Sequence, residues 1–199
     1  MNPVAAAVLA AGRGSRLERR DPKPLLELRG RPLLSWALDA VLATELRPVV
    51  LVVGYRGGAV AAAAPQGVEV VRAHGWRRGA AHSLKAALVA LEPWAQVDAA
   101  CIGLADQPLV GADAYRRLAG AHRDGATLAV ATYEGQRANP VLLARPLWDE
   151  ARTLRGDVGA RVLMDRHGVT EVDCSGTGDP TDVDSLEDLA TLERRLEAT

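Results

Sequence analysis

The feature that most limits what this chain can fold into lies at its start. The apolar run Val4–Ala10 leads directly into Ala11-Gly12-Arg13-Gly14-Ser15-Arg16-Leu17, with Lys23 a few residues on. A short apolar run bounded by glycine reads as a buried parallel strand covered on both faces. Gly12 and Gly14 let the backbone turn tightly and offer its N–H groups to an anion. Arg13, Arg16 and Lys23 surround that turn with positive charge, so the loop is a candidate cradle for a nucleoside triphosphate. As a motif it is weak. Leu17 stands where G-x-G-x-x-G needs its last glycine, and no Gly-Lys-Ser/Thr completes a Walker A loop. An ordinary strand-to-helix turn is the competing reading.

Strand and helix patterns alternate along the rest of the chain. After the loop at 12–24, Pro32 reads as the first residue of a helix through Trp36, Leu38 and Val41. Residues 48–53 form a β-branched strand, 58–64 a short alanine-rich helix, and 68–71 another strand. A helix then runs to about Leu91, followed by strand Ala99–Leu104, a helix over 113–122 and a strand over 127–132. Residues 134–139 are polar and 140–143 extended. Helices over 146–154 and 160–166, a strand over 169–174 and a charged amphipathic helix over 186–196 close the chain. This alternation predicts an α/β fold, a three-layer α/β/α sandwich around a mostly parallel, Rossmann-like sheet. With 199 residues and no linker or repeat, 1–199 reads as a single domain.

The net charge of -1 gives bulk electrostatics no reason to recruit nucleic acid or a membrane surface, so any phosphate recognition is local. Cys101 and Cys174 match no zinc or redox spacing, and the four histidines show no ligand spacing. The first apolar run lacks a basic leader and is too short to span a bilayer, which reads as a cytoplasmic protein. Lys23 and Lys85 are the only lysines in an arginine-rich chain. That makes a retained point charge informative.

In open parallel sheets ligands bind beyond the carboxyl ends of strands, and both the Gly12 loop and Asp106 fall at such ends. Asp106, followed by Gln107-Pro108, suits Mg²⁺, which takes few protein oxygens plus substrate phosphates. A strand-end turn cap is its plainer role. Asp182 or Asp184 can complete a metal site, although Asp184 or Ser185 is equally a helix N-cap with an acid three residues on. His82 and Ser83 open a helix where they can contact base, ribose or phosphate, or where Ser83 merely caps it.

Taken together and in order, these segments resemble the molybdenum cofactor cytidylyltransferase-like (MobA/MocA-like) group of small nucleotidyltransferases. Leu9-Ala10-Ala11-Gly12-x-Gly14-Ser15-Arg16 with Lys23 resembles the group's nucleotide loop. Trp76-x-x-Gly79-x-x-x-Ser83-Leu84 resembles its nucleotide-contacting segment, and Leu104-Ala105-Asp106-Gln107-Pro108 its metal motif. Arg137-Ala138-Asn139-Pro140-Val141-Leu142-Leu143 and Leu154-Arg155-Gly156-Asp157-x-Gly159-Ala160-Arg161 are similar to acceptor-side elements. Asp182-Val183-Asp184-Ser185-Leu186-Glu187-Asp188-Leu189 is similar to the closing signature. The departures are Leu17-Glu18 after the loop arginine, Asn139 in place of a common histidine, Ser185 in place of threonine-proline, and Asp21-Pro22-Lys23-Pro24-Leu25-Leu26, which resembles sugar-1-phosphate nucleotidyltransferases.

The resemblance implies a nucleotide-diphospho-sugar transferase type of fold, its N-terminal part binding nucleotide and its C-terminal part the acceptor. It implies Mg²⁺-dependent transfer of CMP from CTP to the terminal phosphate of a molybdopterin-type cofactor, with release of pyrophosphate. Arg16, Lys23 and Asp106 would be catalytic. The nucleotide would be held by 9–16, Lys23, His82, Ser83 and Asp106, the acceptor by Asn139 and Asp157, and Mg²⁺ by Asp106 and Asp184. A molybdoenzyme or its chaperone would be a protein partner. A sugar- or cyclitol-phosphate acceptor, or a non-catalytic nucleotide-binding accessory role, are the alternatives.

Overall fold

The computed structural model of the chain describes residues 3–14 and 21–197. In chain order the elements are β1 (Val4–Ala10), β2 (Glu27–Leu28), β3 (Arg31–Pro32), α1 (Leu33–Leu42), β4 (Val49–Val53), α2 (Gly57–Ala62), β5 (Val68–Arg72) and α3 (Ala80–Leu91). There follow β6 (Ala99–Leu104), α4 (Ala112–Arg123), β7 (Leu128–Tyr133), β8 (Gln136–Ala144), α5 (Trp148–Thr153), α6 (Arg161–Met164), β9 (Thr170–Asp173) and α7 (Leu186–Glu197).

β1 lies inside a seven-stranded sheet of order β5-β4-β1-β6-β8-β7-β9. It pairs in parallel with β4 on one side and β6 on the other. Only β8 runs against the rest. A strand covered on both faces has no polar side, which is why its sequence reads as a continuous apolar run. Alternate residues serve opposite cores. Ala6, Val8 and Ala10 pack with Leu34 and Leu38 of α1 and with Tyr115 of α4. Ala5 and Ala7 face Leu84 and Leu88 of α3 and Trp148 of α5. These two apolar layers make the α/β/α sandwich. A third cluster joins Leu26, Leu28 and Leu33 to Val183 and Leu192, fastening α7 beside the β2–β3 hairpin.

Two local expectations are corrected. Pro32 is not the first helical residue. It pairs with Glu27 in the β2–β3 hairpin and stands extended at the N-cap of α1, because cross-strand pairing claims it first. The polar stretch 134–139 is a turn and half a strand. Glu134 and Gly135, at φ 51° and 76°, reverse the chain, and β8 begins at Gln136.

The sheet forks at this hairpin. β6 and β8 pair from Ala99↔Ala144 to Ile102↔Val141 and stop. β8 goes on pairing with β7 as far as Tyr133↔Gln136, past a register shift at Val130/Ala131. The end of β6 and residues 137–139 therefore line opposite sides of a gap. Among the described residues no helix is long and apolar enough to cross a membrane.

Candidate active site

β1 and β6 end side by side at Leu9↔Leu104, and Ala105 N donates to Leu9 O at 3.1 Å. Past that point the strands release their two functional loops. Gly14 sits at φ +64°, where a Cβ would come within 2.8 Å of Lys23 Cβ, so glycine lets the Lys23 stem pass against the loop. Lys23 starts a one-turn helix, Lys23–Leu25, and is 8% exposed. Its Nζ donates to Asp106 Oδ2 at 2.6 Å and to Asp184 Oδ1 at 2.7 Å.

Asp184 reaches this point through a backbone clasp. Asp179 N donates to Leu109 O, Gln107 Nε2 to Pro180 O, and Val183 N to Asp106 O, each at 2.9 Å. The clasp needs glycine at two places. A Cβ on Gly111 would lie 2.0 Å from Thr177 O, and one on Gly178 would lie 2.2 Å from Leu109 O. Ser185, not Asp184, caps α7. Asp188 N donates to Ser185 Oγ at 3.1 Å, while Ser185 N donates to Asp188 Oδ2 at 2.7 Å. This reciprocal cap leaves the Asp184 carboxylate for Lys23.

Burial is the largest influence on Lys23 and pulls its pKa down. The charges and hydrogen bonds of Asp106 and Asp184 together outweigh it, so the ammonium ends above its ordinary 10.5. Partial desolvation, then the negative charges of Asp106 and Asp184, push the Asp182 carboxyl above its ordinary value.

These groups also fit a hard divalent cation. Two carboxylate oxygens converge on one point now filled by an ammonium, and oxygen donors suit Mg²⁺ or Mn²⁺. No group of three or more His, Cys, Asp or Glu side chains with metal-binding geometry exists among the described residues. A cation here would complete its shell from water and phosphate oxygens.

Beside the ion cluster the fork opens into a cavity of about 400 Å³. Leu9, Ile102, Leu104, Val130 and Val141 line one part of it, and Arg137, Asn139, Asp157 and Arg161 supply its polar groups. Asp157 closes the start of α3 from a distance, its Oδ1 accepting from Ala80 N at 3.2 Å. Gly79 permits that approach, since a Cβ there would lie 2.2 Å from the Gly156 carbonyl carbon.

A family model of the MobA-like NTP transferase domain matches residues 6–172. The chain belongs to the MobA-like NTP transferase family. Nicotine blue oxidoreductase of Paenarthrobacter nicotinovorans is 32% identical over 200 residues, 95% of this chain and 96% of that protein. The crystal structure of Rv0371c from Mycobacterium tuberculosis H37Rv superposes with TM-score 0.86 at 32% identity, covering 97% of this chain and 98% of that one. Rv0371c in complex with manganese superposes with TM-score 0.82 at 29% identity, covering 96% and 98%.

Within this MobA-like frame the residues singled out from sequence fall into groups. Lys23, Asp106 and Asp184 form one ion cluster. Leu9, Asn139 and Asp157 share the fork cavity. Ala10 and Ala11 are buried, Gly12 and Arg13 are exposed, and Gly14 is half-buried. Ser15 and Arg16 lie outside the described residues. Ser83 is buried inside α3 and does not cap it, and Asp157 serves its N-terminus instead. His82 lines a separate groove. Sequence reasoning named Arg13 and Trp76 but passed over Tyr55, which stands between them beside the loop. The Arg13 guanidinium lies 5.7 Å from the Tyr55 ring, which meets Trp76 edge-on at 5.7 Å. The sequence signal for Tyr55 is the preceding Gly54, where a Cβ would come within 2.5 Å of Ala11 O.

Proposed function

We propose that this MobA-like protein is a divalent-cation-dependent nucleotidyltransferase that transfers CMP from CTP to the terminal phosphate of a molybdopterin-type cofactor, releasing pyrophosphate. The observation that carries the reading is the Lys23 ammonium held between Asp106 and Asp184 where β1 and β6 end. A phosphate oxygen of the acceptor attacks the α-phosphorus of the nucleotide, and the bond to the β-phosphate oxygen breaks. The acceptor brings its own nucleophile, so the protein contributes position and charge. The N–H groups of the Gly12 loop and the Lys23 ammonium hold the triphosphate and offset charge building on the departing pyrophosphate. Asp106 and Asp184 would hold Mg²⁺, which supplies charge neutralisation and a template for phosphate oxygens. Arg16 is assigned to the triphosphate through the family resemblance alone.

The fork cavity carries the acceptor. Its largely aliphatic lining with a few polar groups suits a flat heterocycle better than a polyhydroxylated sugar. Asn139 and Asp157 would orient the acceptor there. The manganese complex of Rv0371c supports a divalent cation in the family. We place the reaction in the cytoplasm, with a molybdoenzyme or its chaperone receiving the product.

The test is pyrophosphate release from CTP, GTP, UTP, ATP and dTTP with Mg²⁺ or Mn²⁺, against molybdopterin-type and sugar-phosphate acceptors. CTP with the pterin acceptor should exceed every other pairing. Preference for a sugar phosphate would move the activity to that class, and nucleotide binding without pyrophosphate would leave an accessory protein. One observation favours a second reading. A relative 32% identical across nearly the whole chain is an oxidoreductase by name. Oxidation of a nicotinamide donor in the presence of a heteroaromatic acceptor, with no pyrophosphate formed, would select that reading.

A further inference from the structure

A second groove, of about 390 Å³, opens on the other side of the start of α3. Ala80 and Leu84 face the fork cavity, while His82 and Lys85 line this groove from a different face of the same helix. Arg78 and the segment from Arg152 to Arg155 complete its lining. Four cationic side chains thus meet in one small concavity of a chain whose net charge is -1.

Their counter-charges are unevenly supplied. Arg152 is paired with Glu92 and Asp149. Arg78, Lys85 and Arg155 have no carboxylate partner among the described residues. His82 lines the groove as well. Nδ1 of His82 is buried without a hydrogen-bond partner among the described residues. Gly75 lets that ring lodge there, since a Cβ on it would fall 2.4 Å from His82 Cδ2.

We infer that this groove is a second anion site, separate from Lys23, that binds a small oligophosphate. The volume falls within the range of small-ligand pockets, and the cations converge on a concavity. A nucleic-acid surface would instead spread them along a stripe. Guanidinium forks suit phosphate oxygens bidentately, and Lys85 adds a point charge. Arg78, Lys85 and Arg155 are exposed, so the attraction is screened by salt.

Inorganic tripolyphosphate is the probe, titrated calorimetrically at low and at moderate ionic strength. The Lys23→Ala protein removes the cation of the reaction centre, and tripolyphosphate should still bind it at one site. Adding Lys85→Glu and Arg155→Glu to that protein should weaken the remaining binding by about tenfold or more, as expected for losing two charge-assisted contacts. Both substitutions fall on exposed side chains, so the melting temperature should stay within about 2 °C of the parent. Loss of all binding in Lys23→Ala alone overturns the inference. So does unchanged affinity after the charge reversals, or displacement of tripolyphosphate by RNA at far lower phosphate concentration.

Discussion

At the scale of single residues, Lys23 explains why a chain so rich in arginine keeps a lysine. One nitrogen lies 2.6 Å from one carboxylate and 2.7 Å from another, in a space where the residue is only 8% exposed. A planar guanidinium spreads its donors and cannot serve as that single point. Replacing Lys23 by alanine removes the ammonium from between Asp106 and Asp184. Turnover in that variant should fall by about 10²–10³-fold, the usual cost of losing a preorganised group that stabilises developing negative charge. Its melting temperature should rise with added Mn²⁺ more than the wild type's, because the cation then meets the two carboxylates with no ammonium between them. Equal Mn²⁺ shifts would count against the shared site.

The same ammonium predicts a pH effect. A basic group whose pKa is raised on folding contributes stability that is complete below its unfolded value and lost as pH rises through its folded value. The stability difference between wild type and Lys23→Met should therefore be flat up to about pH 10 and shrink above it, starting near the ordinary 10.5. Matched denaturant titrations from pH 7 to 11 measure it. At this scale the sequence was legible where chemistry and position coincide, as at Lys23 and Asp106. It was ambiguous at Asp184 and Ser185, because each is a good cap and only the tertiary clasp assigns the work.

At the scale of elements, two-sided burial made β1 and β6 legible, and the largely exposed edge strands β5 and β9 were also read to within a residue at each end. β1 and β6 match Val4–Ala10 and Ala99–Leu104 as read, since a continuous apolar run has little alternative. β8 was cut short because its first half projects beyond β6 and carries polar residues, so local composition resembles a loop. The clasp that delivers Asp184 left only two glycines as traces. Gly111→Ala should be destabilised by roughly 1–3 kcal/mol, the range for overpacking. It should also lose turnover, because Thr177 O must move and residues 178–184 with it. Ser185→Ala should cost about 1 kcal/mol for the lost cap. Chemical denaturation and pyrophosphate assays on the two variants separate the effects. Full activity in folded Gly111→Ala would show that the clasp does not govern Asp184.

At the scale of the whole molecule, the sheet order could not be read from the chain. Alternating strands and helices predict a parallel sheet, but the insertion of β8 between β6 and β7 depends on contacts between distant segments. The insertion makes the fork, and the fork makes the cavity. Asn139→Ala should raise KM for the acceptor about tenfold while leaving KM for the nucleotide nearly unchanged, as loss of one oriented hydrogen bond does. Steady-state kinetics with each substrate varied in turn decide it. A matching rise in the nucleotide KM would move Asn139 to the other subsite.

The fork also bears on how such a protein changes over generations. Arg137 holds its place in the ladder through backbone pairing with Thr132, and among the described residues its side chain makes an exposed ion pair with Glu171. Such pairs contribute little to stability. The side chains that dress the cavity from β8 can therefore be exchanged while the strands beneath them stay zipped and the Lys23 cluster, carried by a one-turn helix and two loops, is untouched. A lineage built this way can alter its diet without rebuilding its kitchen.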